Sequence, residues 1–181
     1  MKIAIVGYSG SGKSTLAGRL GEAFCAPVLC LDRLHWLPGW TERPDQEARA
    51  LLEDFLDQND SWIIEGNYIK TLLWERRMAE ADRIYLLAFG RWRCLWRVIR
   101  RYLENRGKSR DSMAEGCPER LDPAFLRWVF WDSRTKNKRA DYERLAALWP
   151  EKVAILRTPG QVRAVSPPAC REKTGFFEKS A

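Results

Sequence analysis

The first fifteen residues constrain this chain more than any other stretch. Residues 2–6, Lys-Ile-Ala-Ile-Val, form a short apolar run that reads as a buried strand. The run enters Gly7-Tyr8-Ser9-Gly10-Ser11-Gly12. Lys13-Ser14-Thr15 then open a segment with Leu16, Ala17, Leu20 and Phe24 at helical spacing. Glycines permit the positive φ angles that aim successive N–H groups inward. The helix behind them adds the positive end of its dipole. The spelling fits G-x-x-x-x-G-K-[ST], which predicts a nucleoside triphosphate site over residues 7–15. In that motif Lys13 reaches the β and γ phosphates and the Ser14 hydroxyl binds Mg²⁺. ATP and Mg²⁺ are therefore the expected cofactors.

The rest of the chain continues the alternation. Further strands are predicted at 27–32, 61–66, 82–89 and 152–156. Helices are predicted from Pro44, with Ala48, Leu51, Leu52, Phe55 and Leu56 as the buried face, over 92–103, and from Asp122 as cap with Pro123 at the first position. The last of these breaks near Asp132-Ser133-Arg134-Thr135-Lys136-Asn137. Strands alternating with helices argue an α/β fold with a parallel sheet covered on both faces. In such sheets ligands bind beyond the carboxyl ends of the strands. On this reading strand one ends at Gly7, strand two at Asp32 and strand three at Glu65, so a phosphate loop and two carboxylates share one edge.

At 181 residues the chain suits one domain, placed at 1–165, with 166–181 expected to be a flexible tail. No apolar run approaches the roughly 20 residues of a membrane helix, so no membrane is expected. The apolar opening is too short for a secretory leader, and a cytoplasmic location is expected. Five cysteines without a C-x-x-C pair indicate neither a zinc site nor a disulfide framework, and reduced thiols are expected.

The net charge is +7, which fits an anionic partner. Residues 91–110 hold eight basic side chains against one acid, Glu104. Over 92–103 the arginines Arg93, Arg97, Arg100 and Arg101 form one stripe and Trp92, Leu95, Trp96, Ile99 and Leu103 another. The arginine stripe has three readings: a lid that closes over transferring phosphates, a nucleic-acid backbone surface, or a solvated face. The phosphate motif favours the first. The best lid candidates are Arg97 and Arg101, at i and i+4, and Arg106 and Arg110, which flank Gly107 as a hinge.

Asp32 and Glu65 are the carboxylates to weigh. One can orient Mg²⁺-bound water and the other can hold or deprotonate an acceptor. His35, the one histidine of the chain, is a candidate acceptor contact, although a lone histidine is more often structural. Trp36 in the His-Trp-Leu-Pro-Gly-Trp segment at 35–40, with Gly66, Asn67 and Tyr68 after strand three, can wall an acceptor pocket or serve as ordinary core.

These segments resemble a known family. Gly-Tyr-Ser-Gly-Ser-Gly-Lys-Ser-Thr at 7–15, LDRLHWLPGW at 31–40, WIIEGNY at 62–68 and RVIRRYLENRGKSRDSMAEGCPE at 97–119 look like the bacterial DNA topology modulation proteins, grouped with adenylate-kinase-like P-loop kinases. The resemblance covers residues 1–165. It implies a three-layer P-loop kinase fold with a five-stranded parallel core, ATP with Mg²⁺, and a helical arginine-bearing lid at about 91–122. By position it assigns Asp32 and Trp36 to the acceptor side, Glu65, Gly66 and Asn67 to the strand-three motif, and Arg97, Arg101, Arg106 and Arg110 to the lid. The strand-three acid of such kinases is often Asp where this chain has Glu65, and a Phe-Pro-Arg turn stands here as Phe89-Gly90-Arg91.

The resulting expectation is a kinase that transfers the γ-phosphoryl group of ATP to a small acceptor, a nucleoside, nucleotide or similar hydroxyl compound. Lys13 and the lid arginines stabilise the transferring group, and Ser14 and Glu65 serve the metal. The chain is expected to act as monomer or homodimer. A regulatory DNA-binding protein that uses ATP as a switch is the alternative of a different class, although no helix-turn-helix or zinc-finger spelling is present. An ATPase without a separate acceptor is another.

Overall fold

The computed structural model describes residues 1–107, 112–119 and 121–165. Arg110 and the 166–181 tail lie outside these residues. The chain runs β1 (Lys2–Gly7), α1 (Lys13–Phe24), β2 (Val28–Cys30), α2 (Leu31–His35), β3 (Trp36–Leu37), β4 (Thr41–Glu42), α3 (Asp45–Gln58), β5 (Trp62–Glu65), α4 (Trp74–Glu80) and β6 (Arg83–Leu87). It continues as α5 (Arg91–Glu104), α6 (Pro123–Phe130), a 3₁₀ turn (Asp132–Arg134), α7 (Lys136–Leu148), β7 (Val153–Leu156) and α8 (Pro159–Ala164).

Five strands form one parallel sheet in the order β2-β5-β1-β6-β7. Strand β1 is central. From it the chain crosses to the β2 edge, returns through β5 to lie beside β1, and then passes to β6 on the other side. The order reverses next to β1, and the crevice that such a reversal leaves opens at the carboxyl ends of β1 and β5.

Residues Ile3, Ala4, Ile5 and Val6 are almost fully buried because both faces of the sheet are covered. Alternation divides them. Ile3 and Ile5 pack with Leu16, Leu20, Ile63 and Leu87 under α1. Ala4 and Val6 pack with Leu52, Ile64, Met78 and Leu86 on the opposite side. Each fully buried Ile or Leu contributes roughly 1.5–3 kcal/mol, so β1 and its register are strongly specified.

Several expectations change. Pro44 caps α3 rather than starting it. Leu51 is 41% exposed, and the inner face of α3 is Ala48, Leu52 and Leu56. Strand two ends at Cys30, so Asp32 lies in the first turn of α2. The segment expected to wall a pocket keeps Trp36 and Trp40 on the cleft and also takes part in a small antiparallel pair, with Trp36 opposite Glu42 and Leu37 opposite Thr41. Helix α5 buries neither of its two stripes whole: Arg93 and Arg100 are exposed, and Leu95 and Ile99 are half-buried. Trp92, Trp96 and Leu103 are 73%, 60% and 67% exposed, and Cys94 and Val98 are the buried residues. Arg97 and Arg101 share that inward face, since 94, 97, 98 and 101 follow helical spacing. Cys30, Cys94 and Cys117 are buried free thiols. Cys25, exposed at the left-handed end of α1, is disulfide-bonded, against the expectation of reduced thiols. Among the described residues no helix is long and apolar enough to cross a membrane.

Candidate functional site

The turn after β1 is built from its own backbone. Tyr8 N–H donates to the Leu87 carbonyl at 3.2 Å and Ser11 N–H to the Tyr8 carbonyl at 3.2 Å. Gly10 and Gly12 hold φ of 74° and 95°. A Cβ on Gly10 would lie 2.5 Å from the Cys94 carbonyl oxygen, and one on Gly12 would lie 2.8 Å from Arg97 Nη2. The glycines thus serve two needs, a left-handed turn and the close approach of α5. Gly12 offers α1 no side-chain cap, so the first N–H groups of that helix face the turn. Lys13 Nζ folds back onto the carbonyls of Gly7 and Tyr8 at 3.2 and 3.3 Å. Ser9 and Thr15 line the cleft in front of the turn. The Ser11 hydroxyl is buried and has no hydrogen-bond partner among the described residues.

Glu65 ends β5 behind this turn. Its Oε1 accepts a 2.9 Å hydrogen bond from Ser14 Oγ, and the residue is 3% exposed. Burial pushes its carboxyl above the ordinary range. The nearby Lys13 charge opposes that rise, the Asp32 charge adds to it, and the Ser14 hydrogen bond opposes it. Cys30 pairs with Glu65 across the β2–β5 register. Burial, and then the Glu65 charge, push its thiol up to about 12, so it is a packed, unreactive sulfur.

Asp32 is half-buried, and its Oδ1 accepts a 2.9 Å hydrogen bond from Tyr68 Oη. The Tyr68 ring lies 5.0 Å from that of His35, which in turn meets Trp36 edge-on at 4.8 Å. Trp36 meets Trp40 at 5.5 Å. His35 Nε2 also lies 3.8 Å from a Glu42 carboxylate oxygen, so its neighbours are those of a packed side chain. Gly66 N–H donates to Ile5 and is tied into the sheet. Asn67 uses its side-chain oxygen inside the protein: Oδ1 accepts from Gly7 N at 2.8 Å and from Tyr142 Oη at 3.3 Å. It links the turn to α7 and lines the cleft at the same time.

The arginines divide. Arg97 Nη1 donates to the Ser11 carbonyl at 3.4 Å, which sets its guanidinium against the glycine turn. Arg101 pairs with Glu119, Nε to Oε1 at 3.1 Å. Arg106 is exposed and its backbone bridges to that of Glu119; it is not among the residues lining the cleft. Two cations outside the expected set also reach the turn. The Arg134 guanidinium stacks 3.8 Å from the Tyr8 ring centroid, and its Nη1 donates to the Phe89 carbonyl at 2.9 Å. Burial holds the Lys138 ammonium below the usual lysine range. Asp141 opposes that effect and the charge of Lys13 adds to it. The signal for them was a second basic pair, Arg134 and Lys138 at i and i+4 around the Thr135 cap.

The glycine turn, Asp32, Glu65, Arg97, Arg101 and Lys138 line one cleft of about 2040 Å³. The turn and the two carboxylates form one wall, Trp36 and Trp40 a second, and Trp96 and Trp128 of α5 and α6 a third. The outward tryptophans of α5 are therefore cleft residues. Among the described residues no cluster of three or more His, Cys, Asp or Glu side chains could hold a metal ion. A cation here would need oxygen atoms from a ligand in addition to Glu65 and Ser14.

No protein-family model matches the chain. A 65-residue stretch is 38% identical to a Bacillus subtilis (strain 168) protein, "Uncharacterized protein YqaC". The match covers 35% of this chain and spans about a third, 36%, of that protein.

Proposed function

We propose that this chain is a small adenylate-kinase-like P-loop kinase that transfers the γ-phosphoryl group of ATP to a hydroxyl of a small, nucleoside-like acceptor. One observation carries the reading: the Ser14–Glu65 hydrogen bond sits immediately behind Lys13 at the mouth of the glycine turn. The fit to a phosphate-bearing ligand is supported by Gly7 and Gly10, where a Cβ would lie within 2.5 Å of a backbone oxygen, and by the Ser11 hydroxyl, buried without a hydrogen-bond partner among the described residues.

Mg²⁺·ATP, when bound, supplies the phosphoryl group and the cation that offsets its charge. The roles of this chain's residues follow from their chemistry. Ser14 and Glu65 would hold the cation through oxygen. Lys13 is free to leave two neutral carbonyls for a phosphate, where a charge-assisted contact is stronger. Arg97 and Lys138 bring further positive charge to the same turn from α5 and α7. Asp32 accepts a hydrogen bond, and its exposed side can accept another from an acceptor hydroxyl and take its proton. The tryptophan walls suit a flat, aromatic acceptor.

The test is incubation with γ-labelled ATP and Mg²⁺ against a panel of nucleosides, nucleotides and small polyols. Label on a nucleoside or polyol is expected. No ATP binding and no labelled product across the panel would overturn the reading. Label only in free phosphate would identify an ATPase.

A further inference from the structure

Arg77 on α4 is fully buried and has no ion-pair partner among the described residues. Burial pushes its guanidinium down to about 9, with only the Glu75 charge opposing. A buried cation is costly to keep when no anion compensates it. Its contacts are two main-chain oxygens and an aromatic face. Nε donates to the Leu72 carbonyl at 2.7 Å and Nη2 to the Tyr68 carbonyl at 3.4 Å. The Trp74 ring lies 5.4 Å from Cζ, and Nη1 has no hydrogen-bond partner among the described residues.

The two carbonyls belong to a segment that resists its own conformation. Tyr68, Lys70, Leu72 and Leu73 have φ of 35°, 70°, 44° and 52°, and none is glycine. Bulky side chains in the left-handed region persist only where the surroundings hold them. The segment begins at the residue whose hydroxyl grips Asp32. The Arg77 fork spans its first and fourth-following carbonyls, so it fixes the turn of the segment as a unit.

We propose that Arg77 is a positioning residue: its guanidinium clamps the left-handed 68–73 segment so that the Tyr68 hydroxyl is delivered to Asp32. The catalytic consequence rests on the kinase reading above, whereas the clamp itself does not. Arginine suits the task because its rigid planar fork is preorganised and presents Nε and Nη2 to the two carbonyls at a fixed spacing, whereas a lysine offers a single flexible point charge. Holding a side chain to well under an ångström matters at a reacting centre, where a small misplacement costs rate rather than binding.

The experiment uses the full chain with Arg77→Met, Arg77→Lys, Tyr68→Phe and the Arg77→Met/Tyr68→Phe double variant. Methionine keeps bulk without charge, and apolar replacement of a buried charge is often tolerated by the fold. Amide exchange is read first. The Thr71 and Trp74 amides donate within the segment, and in Arg77→Met they are expected to exchange at least tenfold faster, with Ile63 and Ile64 in β5 unchanged. Turnover of Mg²⁺·ATP is expected to fall about tenfold, while the affinity for a fluorescent ATP analogue stays within twofold. Arg77→Lys, with one carbonyl still gripped, is expected to recover part of the rate. The double variant is expected to be no slower than the slower single variant, because both changes remove the same contact.

Unchanged exchange at Thr71 and Trp74 in both Arg77 variants would overturn the clamp. A loosened segment with undiminished turnover would overturn the positioning role. Absence of ATP turnover in the unsubstituted chain would overturn the kinase reading and the catalytic consequence with it, and exchange would still decide the clamp.

Discussion

The Ser14 hydroxyl donates a 2.9 Å hydrogen bond to Glu65 Oε1 across 51 residues of sequence. It joins the first turn of α1 to the last residue of β5. The partner is a carboxylate that burial holds above its ordinary range, so this contact is the place where protonation and folding are coupled.

A carboxyl whose folded pKa is raised binds its proton more tightly in the folded chain than in the unfolded one. Its contribution to stability is fully present below the ordinary glutamate range and is lost as pH rises through the raised folded value. Without nucleotide, the unsubstituted chain should therefore lose stability relative to Glu65→Gln as pH rises from about 4.3 toward neutrality. At this chain size each kcal/mol corresponds to roughly 2–4 °C in Tm. Thermal melts of both proteins across that range test it, and parallel curves would refute the assignment.

Among the described residues Lys13 bonds only to neutral carbonyls. Under the kinase reading those contacts are exchanged for phosphate oxygens. Lys13→Ala should weaken ATP binding by roughly 10–150-fold, the equivalent of about 1.5–3 kcal/mol for a charged hydrogen bond, and should remove turnover. Calorimetric titration with ATP checks the first and label transfer the second. A variant with unchanged affinity and rate would sink the phosphate-loop assignment.

The sheet was legible in the sequence because β1 and β5 are apolar on both faces, so no other packing buries Ile3, Ile5, Ile63 and Ile64. The glycine turn was legible because its spelling and its strand–helix context agree. The orientation of α5 was not. That helix carries an apolar stripe and an arginine stripe, and periodicity alone says only that they differ. Burial of a tryptophan stripe is the usual outcome, but here Arg97 is drawn inward by the Ser11 carbonyl and the room that Gly12 leaves. Trp96 is left to line the cleft. Arg134 and Lys138 escaped notice because they lie far along the chain from the basic run, and only the return of α7 beside Tyr8 and Asn67 brings them to the turn. Asn67 read as an acceptor contact, yet its carbonyl oxygen is engaged by Gly7 and Tyr142.

Arg97 and Gly12 form one unit. A Cβ at residue 12 would meet Arg97 Nη2 at 2.8 Å, on a backbone with φ of 95°. Under the kinase reading, Arg97→Ala should lower kcat more than it raises the KM for ATP, because a lid contact would strengthen as charge develops in the transition state. Gly12→Ala should do the same through displacement of Arg97, and should also destabilise the fold by more than about 0.4–1 kcal/mol, since alanine fits positive φ poorly. Steady-state kinetics and thermal melts check both. If Arg97→Ala leaves kcat intact but abolishes tight, salt-sensitive binding of duplex DNA, the arginine face serves nucleic acid and the ranking reverses.

Asp32 separates the possible acceptors. A hydroxyl must lose a proton as it attacks, so a carboxylate within hydrogen-bond reach accelerates it. A phosphate acceptor is already an anion, and an aspartate beside it repels it. Asp32 faces the cleft from the first turn of α2, held by Tyr68 and flanked by His35 and Trp36. Arg101, one of the α5 arginines that line the cleft, is paired with Glu119. That arrangement favours a hydroxyl. Under the kinase reading, Asp32→Asn keeps the shape and removes the proposed base, and should depress kcat by roughly 10²-fold or more with ATP affinity nearly unchanged. Tyr68→Phe should produce a smaller loss of the same kind, since it frees Asp32 without neutralising it. The measurement is initial rate against acceptor concentration, with ATP binding read separately. A nucleoside monophosphate preferred over the nucleoside, together with a fully active Asp32→Asn, would make the pocket one for phosphate and leave Asp32 a structural partner of Tyr68.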